Sequence, residues 1–237
     1  MSLQGQNIVI VGGSSGIGFE TARLALQQGA NVIIAGRSEE KLSKAKFHLI
    51  GNVRTVIANI VNEAAVKQIF TGLHQVNHVF IPAGGLTTGN ILETAPNAFR
   101  QGLEERIFGA LYVIREAVPR MSTGSITLMS GKLADRPTPG TTMTTVGVSA
   151  VEALTRSLSL ELAPIRVNAI APGWTDTPLV SNILGTQYET VIQTVIDKIP
   201  VKRIGTPEEV AQVAILLMSN GFINGEILHI DGGERLV

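Results

Sequence analysis

Apolar runs alternate with stretches of helical spacing along nearly the whole chain. The first run, residues 8–11, lies between polar Asn7 and Gly12. An unbroken apolar run of that kind predicts a strand buried on both faces of a parallel sheet, not a half-exposed one. Residues 19–28 carry the spacing and helix formers of an amphipathic helix, stopped by Gly29. The same alternation predicts further strands within 31–38 and near 54–58, 78–81, 125–129, 166–171 and 226–230. Helices are expected near 39–49, 63–73, 96–120 and 142–163. Pro96 falls in the first turn of the third of these, with Thr94 or Ala95 near its cap. Thr206-Pro-Glu-Glu209 starts another, with Thr206 as N-cap and Glu209 placed for a capping box. Residues 172–185 read as a mobile loop. No linker, repeat or low-complexity tract interrupts the pattern, so one α/β domain spanning residues 1–237 is expected. Regular alternation with right-handed crossovers gives a doubly wound parallel sheet with helices on both faces. A ligand would lie across its carboxyl edge, where the strand order reverses between strands one and four.

The end of the first strand carries candidate chemistry. Asn7-Ile-Val-Ile-Val-Gly-Gly-Ser-Ser-Gly-Ile-Gly18 joins a buried strand to a helix N-terminus through Gly12, Gly16 and Gly18. Backbone N–H groups and the positive end of the helix dipole point out of such a turn, and the glycines let a pyrophosphate approach. Glycine loops also serve as plain turns. Here the second strand follows at βαβ distance with charged Arg37 at its end, which favours a dinucleotide site.

Composition narrows the function classes. Lys plus Arg and Asp plus Glu each number 19, for a formal net charge of zero. Nothing in that balance attracts nucleic acid or an anionic membrane. Lys41, Lys44 and Lys46 cluster among Glu39, Glu40 and apolar residues, as on a solvated helix face. There is no cysteine, which removes disulfides, thiolate metal sites and a cysteine nucleophile. His48, His74, His78 and His229 show no ligand spacing, and no metal site is expected. No basic region followed by an apolar core opens the chain, and no membrane-length apolar run occurs. A cytoplasmic location is the expectation.

Several ordered motifs together resemble the short-chain dehydrogenase/reductase (SDR) family over essentially the whole length. Gly12-xxx-Gly16-x-Gly18 matches its cofactor turn, and Ala83-Gly84 the end of its Asn-Asn-Ala-Gly element. The stretch from Ser149 to Pro164 resembles the helix after its Tyr-xxx-Lys pair. Arg166-Val-Asn-Ala-Ile-Ala-Pro-Gly-Trp-Thr-Asp-Thr177 and the segment 225–233 are close to its usual text. The resemblance implies a Rossmann-type domain binding a nicotinamide dinucleotide, with Gly12, Ser14, Ser15, Gly16, Ile17, Gly18, Asn59, Ala83, Gly84, Pro172, Gly173, Thr175 and Thr177 around the cofactor. Ile17 would pack beneath it, Asn59 stands for an aspartate near the adenine, and the last four match the loop for the nicotinamide carboxamide and diphosphate. Arg37, Ser38 and Ser14 suit a 2′-phosphate, since arginine is a planar fork of donors and no carboxylate follows until Glu39. NADP(H) is therefore expected over NAD(H). A homodimer or homotetramer through the long helices and last strand is also implied.

The family's proton-transfer group is less complete. Ser130 matches its serine, but alignment on residues 151–154 puts the tyrosine at Thr144 and the lysine at Val148, and the asparagine position, within Glu105-Arg-Ile-Phe-Gly109, falls on Arg106. No tyrosine lies between Tyr112 and Tyr188. Val11 and Pro82 replace a threonine and an asparagine that bond to each other in the family, so both ends of one contact have gone together. Lys132 and Arg106 are the nearby cations for polarising a substrate oxygen; Asp135, Arg136, Tyr112 and Tyr188 rank below them, and Thr141, Thr142, Thr144 and Thr145 include helix caps. A positioned general acid is worth ~10²–10⁴-fold in rate, which an apolar Val148 beside a threonine does not supply. Two readings stay open: an atypical oxidoreductase of a small carbonyl or alcohol, or an inactive NADP(H)-binding or oligomeric pseudoenzyme.

Overall fold

A computed structural model of the chain describes residues 2–237. Seven strands form one sheet: β1 (Asn7–Val11), β2 (Asn31–Gly36), β3 (Val53–Ile57), β4 (His78–Ile81), β5 (Ser125–Met129), β6 (Arg166–Pro172) and β7 (Ile227–Ile230). Their order is β3-β2-β1-β4-β5-β6-β7 and every pairing is parallel. The order reverses between β1 and β4, as expected for a Rossmann-type doubly wound sheet.

Period-two alternation explains why β1 reads as unbroken apolar text. Val9 and Val11 face one core, with Ile33, Val79, Ile126 and Val167. Ile8 and Ile10 face the other, with Val32, Ile34, Phe80 and Ile170. The first core is covered by α3 (Glu63–Ile69), α5 (Gly109–Ala117) and α6 (Thr142–Glu161), through Val66, Val113, Ala117, Val151 and Leu158. The second is covered by α1 (Gly16–Gln27), α2 (Glu39–His48) and α9 (Pro207–Ser219), through Ala22, Leu26, Leu42, Val210 and Leu217. Each fully buried valine or isoleucine contributes roughly 1.5–3 kcal/mol. Thr206 and Glu209 form the predicted capping box on α9.

Several expectations need correction. Residues 172–185 are not simply a loop: Thr177 accepts the Val180 N–H and starts α7 (Pro178–Leu184), and α8 (Tyr188–Lys198) follows. Pro178 and the apolar residues behind it fit a short helix as well as a loop. The single helix expected over 96–120 is segmented, as α4 (Pro96–Leu103), a π-helical turn (Glu104–Phe108), α5 and a short 3₁₀ turn (Val118–Arg120). Ala95 holds the cap position of α4, as expected, while the Thr94 hydroxyl donates to the Asn90 carbonyl. Thr141 at the head of α6 makes no side-chain cap. It bonds back to Thr138 instead.

Candidate cofactor crevice and active site

The carboxyl ends of β1, β2, β4, β5 and β6 gather the predicted residues along one edge of the sheet. At β1 the chain turns through Gly12, whose φ of +103° belongs to glycine. A Cβ on Gly18 would stand 2.2 Å from the Gly12 carbonyl oxygen, so α1 packs onto the turn only with hydrogen at that position. Ser15 holds the N-cap of α1 but makes no side-chain cap, whereas Ser38, Asn62, Thr177 and Thr206 all cap their helices. The first-turn N–H groups of α1 have no intrahelical acceptor and no cap. That is the donor set a pyrophosphate needs, and the glycine turn leaves it uncovered, so this turn fits a dinucleotide. Ile17 packs partly buried against the second core. Thr177 flanks the turn, its Cγ2 3.4 Å from where a Gly16 side chain would begin.

At the end of β2, the Ser14 Oγ stands 3.4 Å from the Cβ position of Gly36, placing that hydroxyl beside the residue before Arg37. The Ser38 hydroxyl oxygen accepts the Lys41 N–H and keeps its own hydrogen to donate. The Arg37 guanidinium is exposed and reaches across the edge to Glu105, Nη1 to Oε1 3.2 Å. Asn59, beyond β3, is exposed and its Oδ1 accepts the Val61 N–H at 3.3 Å.

At the end of β4, the Ala83 N–H donates to the Val11 carbonyl at 3.1 Å. A backbone bond therefore ties β1 to β4 where Val11 and Pro82 offer no side-chain bond. Gly84 follows, and the Arg106 guanidinium carbon lies 3.2 Å from its Cβ position.

Arg106 is the central cation. It is 7% exposed and comes from the π-helical turn. Its Nη1 donates to the Met129 carbonyl at 3.2 Å and its Nη2 to the Gly85 carbonyl at 2.8 Å. Its aliphatic stem lies against Gly147, with Cδ 3.0 Å from that Cβ position. Burial pushes the guanidinium down from its ordinary value while neighbouring Glu105 pulls it back up. Arginine stays charged through shifts of this kind. Three of its five N–H donors are left over after the two carbonyls. Such a group can hold a developing negative charge.

The other candidates are more committed. The Ser130 hydroxyl, 4% exposed, lies 2.9 Å from Glu152 Oε1 and 3.3 Å from the Val148 carbonyl, two acceptors for one hydrogen. Thr144 is also buried; its hydroxyl donates to the Thr87 carbonyl at 2.8 Å and accepts the Thr87 N–H at 2.9 Å. Val148 is buried beside it. The Lys132 ammonium is paired with Glu234 and lies 5.4 Å from the centre of the Trp174 ring. Glu234 also accepts the Trp174 N–H, which ties the last residues of the chain to the Pro172–Gly173 turn. Thr175 is buried, its hydroxyl on the Gly173 carbonyl at 3.1 Å. Tyr188, among the lower-ranked candidates, donates to Asp176 at 2.7 Å on the exterior.

Glu105, Glu152, Glu234 and Thr87 escaped sequence reasoning. Their partners lie 68, 22, 102 and 57 residues away, so no local spacing announces them. Glu152 alone had a signal, since it stands one helical turn after Val148 and shares its face. A cavity of about 340 Å³ opens at the opposite edge of the sheet, beside His78 and Arg166. Both ring nitrogens of His78 are bonded there, and Arg166 donates to the Leu217, Met218 and Ile223 carbonyls. Among the described residues no group of His, Asp and Glu is placed to hold a metal ion, and no helix is long and apolar enough to cross a membrane.

A glycine turn at a switch-point edge is shared by many dinucleotide folds. A family model described as enoyl-(acyl carrier protein) reductase decides among them, matching residues 11–234. The chain belongs to the short-chain dehydrogenase/reductase family. Members of the SDR family bind a nicotinamide cofactor, and the crevice described above is where this SDR chain would take it. Among curated SDR relatives, the 3-oxoacyl-[acyl-carrier-protein] reductase FabG of Thermotoga maritima is 31% identical over 98% of this chain and 99% of its own. The solved structure of the MalC reductase/Diels-Alderase from Malbranchea aurantiaca superposes with a TM-score of 0.92 at 29% identity, covering 99% of this chain and 98% of that one. A small-chain dehydrogenase solved in complex with NADPH gives a TM-score of 0.86 at 25% identity over 99% of this chain and all of that one.

Proposed function

We propose that this protein is an NADP(H)-dependent reductase of a small carbonyl compound, in which Arg106 takes the place of the family's proton-transfer pair. The observation that carries the reading is the buried Arg106 guanidinium, held by two backbone carbonyls at the ends of β4 and β5 with donors to spare. NADPH, when bound, supplies the hydride to the carbonyl carbon. As the new C–H bond forms, the carbonyl π electrons move onto oxygen, and the Arg106 charge stabilises the alkoxide. Water then supplies the proton that a tyrosine supplies elsewhere in the family. Close positioning of donor and acceptor is worth ~7–11 kcal/mol, which leaves useful rate without a general acid. Ser130 is a second oxygen ligand, once its hydrogen leaves Glu152 for the substrate. Two of the three similar proteins named above are reductases, which supports the reducing direction.

NADP(H) is proposed over NAD(H) because the Ser14 hydroxyl lies beside Gly36 at the end of β2, where Arg37 and Ser38 follow with no carboxylate until Glu39, and because a related chain was solved with NADPH. Equilibrium binding followed by nucleotide fluorescence tests this. Arg37→Asp should weaken NADPH about tenfold or more, as expected when a charge-assisted phosphate contact becomes a repulsion. It should leave NADH within about twofold, since NADH carries no 2′-phosphate. Equal affinity of the wild type for both nucleotides contradicts the assignment.

One feature supports the second reading, a pseudoenzyme that only binds the dinucleotide. Thr144, at the tyrosine position, has its hydroxyl closed onto Thr87 in both directions and has no proton to give.

A further inference from the structure

The Arg37–Glu105 pair spans the crevice from the end of β2 to the π-helical turn before α5. Its two halves are unequal. The Arg37 side chain is 66% exposed and the Glu105 side chain 16%. The second carboxylate oxygen of Glu105 stands 3.3 Å from the Cβ position of Gly85, so the group lies over the end of β4. Glu105 and Arg106 are consecutive, and the wider π-helical turn brings both to the crevice. The mostly buried carboxylate is thus paired with the Arg37 guanidinium and also feels the charge of neighbouring Arg106. No other carboxylate pairs with Arg37 among the described residues.

We propose that Glu105 is a specificity-determining residue that competes with the cofactor's 2′-phosphate for Arg37. The inference rests on the NADP(H) reading above and concerns how strongly that preference is expressed. A phosphate arriving at Arg37 meets a guanidinium that is already paired and a carboxylate of like charge beside it. NADPH binds only as Arg37 exchanges one anion for the other, whereas NADH brings no second anion to Arg37. Glu105 therefore narrows the margin between the two nucleotides that Arg37 alone would set. The cost is tolerated because the same carboxylate balances Arg106, a buried cation with no ion pair of its own among the described residues.

The test is dissociation constants for NADPH and NADH, measured by nucleotide fluorescence on the wild type, E105Q, E105D and the double variant R37A/E105Q. E105Q is expected to tighten NADPH about tenfold, as removal of a like charge near a phosphate predicts. NADH should change by less than about twofold, since its ribose bears no phosphate. In R37A/E105Q the gain should vanish. E105D guards against a folding defect, since it keeps a carboxylate beside Arg106 but is one methylene too short to hold Arg37. It is expected to tighten NADPH by a smaller factor. Weaker NADPH binding by E105Q and E105D would show that Glu105 positions Arg37 for the phosphate, and would overturn the proposal. Unchanged NADPH binding in both variants overturns it too, while leaving the NADP(H) reading intact. If the wild type binds neither nucleotide, the cofactor reading fails and the inference falls with it.

Discussion

His78 opens β4 fully enclosed between Gln6 and Ser125. Its Nε2 faces the Gln6 Oε1 at 2.6 Å and its Nδ1 the Ser125 Oγ at 2.8 Å. Gln6 Oε1 can only accept, so Nε2 carries the hydrogen and Nδ1 accepts from the serine. Burial, aided by the nearby Arg166 charge, pushes this histidine down to about 4. In the unfolded chain it titrates near ~6.5. Between those values the unfolded chain binds a proton that the folded one refuses. Stability should therefore fall as pH drops from about 6.5 to about 4, by roughly 3 kcal/mol in total, and the loss from this residue should level off below that window. Glu209 acts lower down. Arg203 and the Thr206 N–H hold it down to about 2, so its contribution is lost as pH falls from its ordinary carboxylate range toward 2. Denaturant unfolding of the wild type and His78→Gln at pH 7, 5.5 and 4.5 checks the first window. The variant should lose most of the slope there; an equal slope would assign the acid sensitivity elsewhere.

At the scale of the elements, the strands were easier to read than the connections. Buried parallel strands announce themselves in mostly apolar text, and residues 78–81 and 125–129 match β4 and β5 to the residue. Residues 172–185 misled because Pro172, Gly173, Pro178 and Gly185 are strong turn signals; one short helix fits between the last two, and a second follows. The glycine turn and helix start after β1 were legible because they are local features. The contacts that decide the chemistry join distant residues, as Thr144 does with Thr87. That clasp has a consequence for the segment after β4. Thr144→Val keeps the side chain's shape but strands the Thr87 N–H and carbonyl, a cost of about 1–3 kcal/mol for each if they stay buried. The segment should relieve it by opening. Hydrogen exchange is expected to speed up at amides 86–89 and stay unchanged in β1 and β4. Uniform acceleration across the sheet would instead mean that the clasp stabilises the whole domain.

At the scale of the molecule, one edge of a two-cored sheet holds a glycine turn at a helix start, an exposed arginine and a buried central cation. The two long helical segments also expose Phe108, Val146 and Leu160, and we propose that such apolar side chains are covered in a homodimer or homotetramer. Light scattering should give a mass of two or four chains, and a single-chain mass would remove that part of the account. The reductase assignment turns on Arg106, and the most direct measurement is NADPH oxidation over a panel of small carbonyl compounds. Wild type would be run beside Arg106→Leu and the Thr144→Tyr/Val148→Lys double variant, with NADPH binding measured for each. Turnover by the wild type that falls about 10²-fold or more in Arg106→Leu, with NADPH affinity retained, is the predicted result. Turnover by the double variant alone would contradict it and leave a cofactor-binding protein whose chemistry has been lost.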